Sequence, residues 1–364
     1  MTPEPLGVLT ARALRGAWRV EPPPTTLSRA DLDRVVPHLL ATGTGALGWR
    51  AVRGDPDLAE TPPAQRLADA HRLHRLHAGL HDRRLDAVLD LCDGLGIDPL
   101  LVKGWTIARR YPERGLRPYG DIDLVLPRAE QARLGRSLST LGHDARTGEV
   151  DLLHAFVLSD GDGIEALNAR SRRVPFGERS VRVLSVEDEL RLVCLHYLRA
   201  GGWRSLSLCD VALVFEARCT GLDWTLVLPD ARRSQWVYVA AGLAEDLLGT
   251  DLSGTPLDGA EREVPAWARR HVLRGFADTP VDRRAAPRFA PTANPASLLR
   301  QARERWPDAL ELTLHHRRAV ARHVPGHLVA YDVAARALTY LTPIDRSRFR
   351  DGSSRRSRRR RAQA

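Results

Sequence analysis

Asp121 and Asp123 flank a single isoleucine in the run DIDLVL, residues 121–126. In an extended strand, residues i and i+2 point to the same face, with Cα atoms ~6.5–7 Å apart. Two carboxylates so placed can converge on a pair of Mg²⁺ ions, which stand ~3.5–4 Å apart in two-metal phosphoryl chemistry. Ile122 and Leu124 point the other way and can bury. The run after Asp123 is apolar, so the acids stand at the start of a buried strand. There they repel each other unless a cation lies between them. Mg²⁺ suits such a place, because it takes few protein carboxylates and completes its octahedron with water and substrate phosphates. An isolated D-x-D is more often a solvated strand end, so the surroundings decide.

Those surroundings carry positive charge. Lys103 and Gly104 follow an apolar run, and Arg117 lies four residues before Asp121. A glycine at a strand-to-helix turn lets backbone N–H groups approach an anion. Arg117 offers a fork suited to a triphosphate. Lys103 is the only lysine in the chain, against 54 arginines. Where arginine is so favoured, a retained lysine marks a place suited to a compact ammonium. Together the acids, Lys103, Gly104 and Arg117 read as a phosphate-and-metal site.

The elements that must position these residues are legible in outline. IDPLLVKG (97–104) reads as a buried strand, with a helix over Thr106–Arg110 and then a loop punctuated by Pro112, Gly115, Pro118 and Gly120. DIDLVL is a second strand, followed by an amphipathic helix over 128–141. Residues 154–159 and 163–169 read as a hairpin around the D-G pairs at 160–163. Upstream, helices are expected over 29–41 and from Pro63 to Cys92, the latter with an apolar stripe of Leu73, Leu76, Leu80, Val88 and Leu91. His71, His74, His77 and His81 on that helix lie among arginines and read as a solvated face. Downstream, Ser185 and Asp188 have capping-box spacing ahead of a helix. Further helices are expected over 206–218 and 231–248, then about 298–322 and 328–340. His196 and Asp210 fall on adjacent helices, where they read as a structural hydrogen bond, with support of the site as the alternative.

The segment 100–126 resembles the uncharacterised nucleotidyltransferase family of the DNA polymerase β-like superfamily. The match rests on Lys103-Gly104, Arg117 and Asp121-Ile122-Asp123-Leu124-Val125, with GIDPLLV (96–102) before them and LSVEDELRLVCLHYL and LCDVALVFEA after them. The resemblance implies an α/β (α+β) fold: a small mixed β-sheet flanked by helices, followed by a helical domain. It implies an NTP substrate, Mg²⁺ of the two-metal type on Asp121 and Asp123, and nucleotide contacts around Lys103, Gly104, Trp105 and Arg117. It also implies a third carboxylate on a neighbouring strand, as metal ligand or base. Glu165 in GIEALNA is the favoured choice and Asp162 the competitor. Trp105 stands where the superfamily usually has serine or glycine.

The expected organisation is an irregular arm over 1–27, a nucleotidyltransferase domain over 28–184, a helical domain over 185–277, a Pro-rich linker over 278–297, C-terminal helices over 298–345 and a disordered Arg-rich tail over 346–364. The tail holds nine arginines and one aspartate, so it carries +8 of the net +10 and the body is nearly neutral. A body that grips nucleic acid is therefore not implied, although the tail suits weak contact with nucleic acid or an acidic surface. No apolar run reaches the ~18 residues of a membrane span. The four cysteines form no C-x-x-C pair and no secretory signal is visible, so a reduced, cytoplasmic setting is expected. The expected activity is transfer of a nucleoside monophosphate from an NTP to a hydroxyl of a small-molecule or peptide acceptor. The alternatives are an RNA-modifying enzyme of the same fold and a non-catalytic nucleotide-binding descendant.

Overall fold

The computed structural model describes residues 4–140, 150–153, 163–217, 221–278, 308–315, 320 and 326–332. The chain begins with α1 (Leu6–Leu14), α2 (Arg29–Ala41), α3 (Gly45–Val52) and α4 (Pro56–Ala59). Ser28 opens α2 with a full capping box, its hydroxyl accepting from the Asp31 N–H. The 33-residue α5 (Pro62–Gly94) has Thr61 as cap and proline at its first position. The sheet follows, with β1 (Leu100–Val102), α6 (Gly104–Ala108), β2 (Ile122–Val125), α7 (Arg128–Thr140), β3 (Val150–Leu153), α8 (Ile164–Arg170), β4 (Arg172–Phe176) and β5 (Arg179–Val183). Next come α9 (Val186–Arg199), α10 (Ser205–Glu216), α11 (Trp224–Val227), α12 (Ala231–Leu248), a 3₁₀ turn over Ala260–Glu263, α13 (Ala266–Ala277) and α14 (Ala309–His315).

The five strands lie in the order β3-β2-β1-β5-β4. β1 runs antiparallel to β2 and parallel to β5, while β3 runs parallel to β2. This is the mixed α+β architecture expected, with helices around the sheet and a helical layer after it. Period-2 alternation sorts the two faces. Leu101, Ile122, Leu124, Val150, Val181 and Val183 bury against Leu85, Val88 and Leu89 of α5 and Leu134 and Leu138 of α7. On the other face Leu100, Val102 and Val125 bury with Leu167 of α8 and Leu192 of α9. Asp123 shares the parity of Val125, so it stands on this second face.

Several expectations are corrected. The segment expected as an irregular arm contains α1, and Leu9, Leu14 and Trp18 are essentially fully buried. Gly7 there lies so close to α13 that a Cβ would sit 1.8 Å from the Leu273 carbonyl oxygen. The stripe of α5 is divided. Val88 is buried in the sheet layer, but Leu73, Leu76 and Leu80 are 50%, 69% and 52% exposed. The solvated histidine face is also only partly so: His71 is buried and bonds the Arg114 carbonyl at 3.2 Å. Burial holds the His71 and His74 pKa values below normal.

The hairpin lies later than expected. Residues 164–170 are helical, because Ile164 and Leu167, three apart, both face the core beside α9. The antiparallel pair is instead β4 and β5, closed by Gly177-Glu178, with Gly177 at φ +56°. Residues 154–159 of the expected hairpin lie outside the described residues. So do the Arg-rich tail, the Pro-rich linker beyond Asp278 and most of the expected C-terminal helices.

Candidate active site

The register of the sheet assembles the acids. β1 pairs with β2 so that Val102 stands opposite Asp123. On the far side, β2 pairs with β3 so that Asp123 stands opposite Asp151. Residues in register on neighbouring strands share a face, so Asp151 joins Asp121 and Asp123 there. Asp123 is only 6% exposed, whereas Asp121 and Asp151 sit at the open end.

The electrostatics follow from this crowding. Burial raises the Asp123 pKa, and the charges of Asp151 and Asp121 add to the rise, while Lys103 opposes it. Burial likewise raises Asp121, Asp151 adds to it, and Lys103, Arg204 and His81 oppose it. The chain has therefore gathered anionic groups that disfavour one another's ionisation, which is the condition a bound cation relieves. Among the described residues, no three ligating side chains already enclose a common point. The donors are nevertheless hard carboxylate oxygens, the class that Mg²⁺ takes in small number beside phosphate and water. The residues fit the ion.

Lys103 caps this arrangement. Its ammonium donates to Asp123 Oδ1 at 3.0 Å. Its backbone holds φ 54° and ψ −140°, and it is the single non-glycine residue with positive φ among the described residues. Such a conformation costs about 1–3 kcal/mol and persists where surrounding structure imposes it. Gly104 follows at φ +25°, and a Cβ there would lie 3.0 Å from the Asp121 carbonyl oxygen. Two successive positive-φ residues thus fold the end of β1 tightly onto the start of β2.

Arg117, the expected phosphate fork, bonds protein groups in this structure. Its Nε and Nη2 donate to Asp210 Oδ1 and Oδ2 at 2.8 and 2.9 Å, and its Nη1 donates to the Gly104 carbonyl at 3.3 Å. Tyr111 donates its hydroxyl to the same Asp210 at 2.9 Å. Burial works against the Arg117 charge, but Asp210 outweighs it and the pKa is raised. Breaking a buried ion pair by losing one partner costs about 3–5 kcal/mol, so this fork is committed to Asp210. Asp210 has Arg117 and Tyr111 as partners.

Trp105 follows Gly104 in α6. Its ring packs edge-on to Phe176 of β4, with centroids 5.1 Å apart, and Arg109 lies over it at 5.7 Å. The indole therefore points along the sheet toward the hairpin. Glu165 lies in the first turn of α8, exposed, and does not occupy a strand beside β2. Of the two strands beside β2, β1 carries no acid and β3 carries Asp151. Asp162 lies outside the described residues. The signal for Asp151 was the alternation Val150-Asp151-Leu152 followed by another leucine and His154. The D-G pairs downstream drew the strand assignment away from it. On the rim, Tyr119 donates to Asp82 of α5 at 2.7 Å, and its ring stands 5.3 Å from that of His81.

A small mixed sheet carrying acids on its β2 and β3 strands, beside a lysine–glycine turn, belongs to the nucleotidyltransferase class of fold. The family model that matches is described as uncharacterised nucleotidyltransferase, and it covers residues 28–160 and 145–249. The chain belongs to that family. No curated protein and no solved structure matches it.

Proposed function

We propose that the protein is a Mg²⁺-dependent nucleotidyltransferase, moving a nucleoside monophosphate from an NTP to an acceptor hydroxyl with release of pyrophosphate. The observation that carries this reading is the register that puts Asp151 opposite Asp123, on the face shared with Asp121 and beside the Lys103 ammonium. Asp121 and Asp123, with Asp151 in the place expected of Glu165, would hold Mg²⁺. When bound, the ion supplies charge neutralisation for the triphosphate and the departing pyrophosphate.

The chain's own residues do the rest. Lys103 leaves Asp123 for a phosphate oxygen once the acids are otherwise compensated, and so exchanges one anion for another. Gly104 lets the backbone approach the phosphates, since no side chain intervenes. Asp151, at the open end of the face, can accept the proton of the attacking hydroxyl. Catalysis on this account is positioning and electrostatics. The acceptor class stays at a hydroxyl of a small molecule or peptide.

Incubation with α-labelled NTP, Mg²⁺ and candidate acceptors tests the reading. Label should move to acceptor with the wild-type chain. It should fail to move with Asp121→Asn, Asp123→Asn or Asp151→Asn, each still folded by circular dichroism. Glu165→Gln should transfer at the wild-type rate. Full transfer by the aspartate variants contradicts the assignment.

A further inference from the structure

Asp210 lies on α10, pairs with Arg117 rather than with the acids themselves, and is 3% exposed. It nevertheless stands at the head of a continuous chain of contacts that reaches the acid face. Both of its oxygens are taken by the Arg117 fork, and Tyr111 donates to one of them. The remaining Arg117 nitrogen holds the Gly104 carbonyl. Gly104 is packed against the Asp121 backbone, and the residue before it is Lys103, whose positive φ aims its ammonium at Asp123. Lys103, Arg117 and Asp210 also line one small cleft together with His196 and Ser207. The turn that bears the lone lysine is thus tied to the helical layer through Arg117, and that arginine is held by Asp210.

We infer that Asp210 is a positioning residue for the Lys103–Gly104 turn, acting through Arg117. A buried bidentate pair fixes distance and direction together. A strained backbone conformation needs such an external hold. Freed from Asp210, the arginine loses the anchor that places its Nη1 on the Gly104 carbonyl, and the turn can relax toward ordinary φ. The ammonium then leaves Asp123. The effect on turnover rests on the nucleotidyl-transfer reading; the effect on Lys103 does not.

The single lysine makes the test direct. Labelling with [¹⁵N]lysine gives one side-chain ammonium signal by NMR, and Asp123→Asn marks where that signal falls when unpaired. In Asp210→Asn the signal should move to the Asp123→Asn position. In Tyr111→Phe, which removes a buried hydrogen bond but spares the fork, it should stay while Tm falls. A network that merely stabilises the fold would lower Tm in both variants and leave the signal of the folded protein in place, and that result overturns the inference. Should Asp210→Asn not fold, Arg117→Lys keeps the buried charge but cannot reach Asp210 and Gly104 together. Its kcat should fall about a hundredfold, the usual cost of a misplacement near 1 Å, and its KM for NTP should rise because Lys103 also meets the triphosphate. A wild-type kcat in Arg117→Lys likewise overturns it. Wild-type protein that transfers no label contradicts the proposed activity and leaves the NMR comparison to judge Asp210.

Discussion

Asp121 is a residue held against its own preference. Burial and the Asp151 charge raise its pKa above the ordinary 3.8. A carboxyl whose pKa is higher folded than unfolded binds more protons folded, so its ionisation costs stability. That cost is absent while both states are protonated. It grows as pH rises from the unfolded pKa to the raised folded one, and is complete above that. Asp121→Asn should therefore raise the Tm of the metal-free protein at neutral pH, and the gain should disappear below pH 3.8. A thermal melt series across pH checks this. Equal Tm values at neutral pH would mean that the acids do not strain one another. Such a gain from deleting a group proposed to hold Mg²⁺ would be the familiar exchange of stability for function.

At the scale of elements, the β1–α6–β2 unit explains what the sequence could and could not reveal. Both strands were legible because LLV and IDLV are short apolar runs bounded by turn residues, and the D-x-D spacing set its own face. The partner of β2 was not, because pairing is a tertiary fact: nothing local to Val150–Leu153 says that it lies beside Ile122–Val125. The D-G signals were real turn chemistry and pointed elsewhere. The β4–β5 hairpin was hidden by Arg179, which stands in register with Phe176 on the face of Val174, Val181 and Val183 and so breaks the apolar alternation. The same limit applied to Arg117, whose fork can be read from its type but whose partner lies 93 residues away. Trp105 belongs to this scale as well. Packed edge-on to Phe176, it ties α6 to β4. Trp105→Ala should cost about 2–3 kcal/mol in chemical denaturation while NTP binding persists. Loss of binding with unchanged stability would return the indole to the nucleotide.

Across the described residues, one large core joins the N-terminal helices to the helical layer, and two smaller ones clothe the sheet faces. Residues from Leu9 to Leu27 contribute to that large core. Trp18 Nε1 and Arg19 both bond Glu216 at the end of α10, and Arg19 also holds the Gly249 carbonyl. Deleting residues 1–27 should therefore lower Tm well below that of the full chain, with exposed apolar surface detectable by dye binding. An unchanged Tm would restore the reading of a loose arm. No helix among the described residues is long and apolar enough to cross a membrane. The exposed leucines of α5 leave part of a long amphipathic helix facing solvent, a feature the sequence stripe did not separate from its buried half.

Whether these aspartates, with Lys103, receive a metal-bearing triphosphate decides the proposed function. Calorimetric titration with a non-hydrolysable α,β-methylene NTP, with and without Mg²⁺, measures that directly. Wild-type protein should bind only when Mg²⁺ is present, and Asp123→Asn and Asp151→Asn should abolish the Mg²⁺-dependent binding. Binding that ignores Mg²⁺, or that survives in both variants, would contradict it.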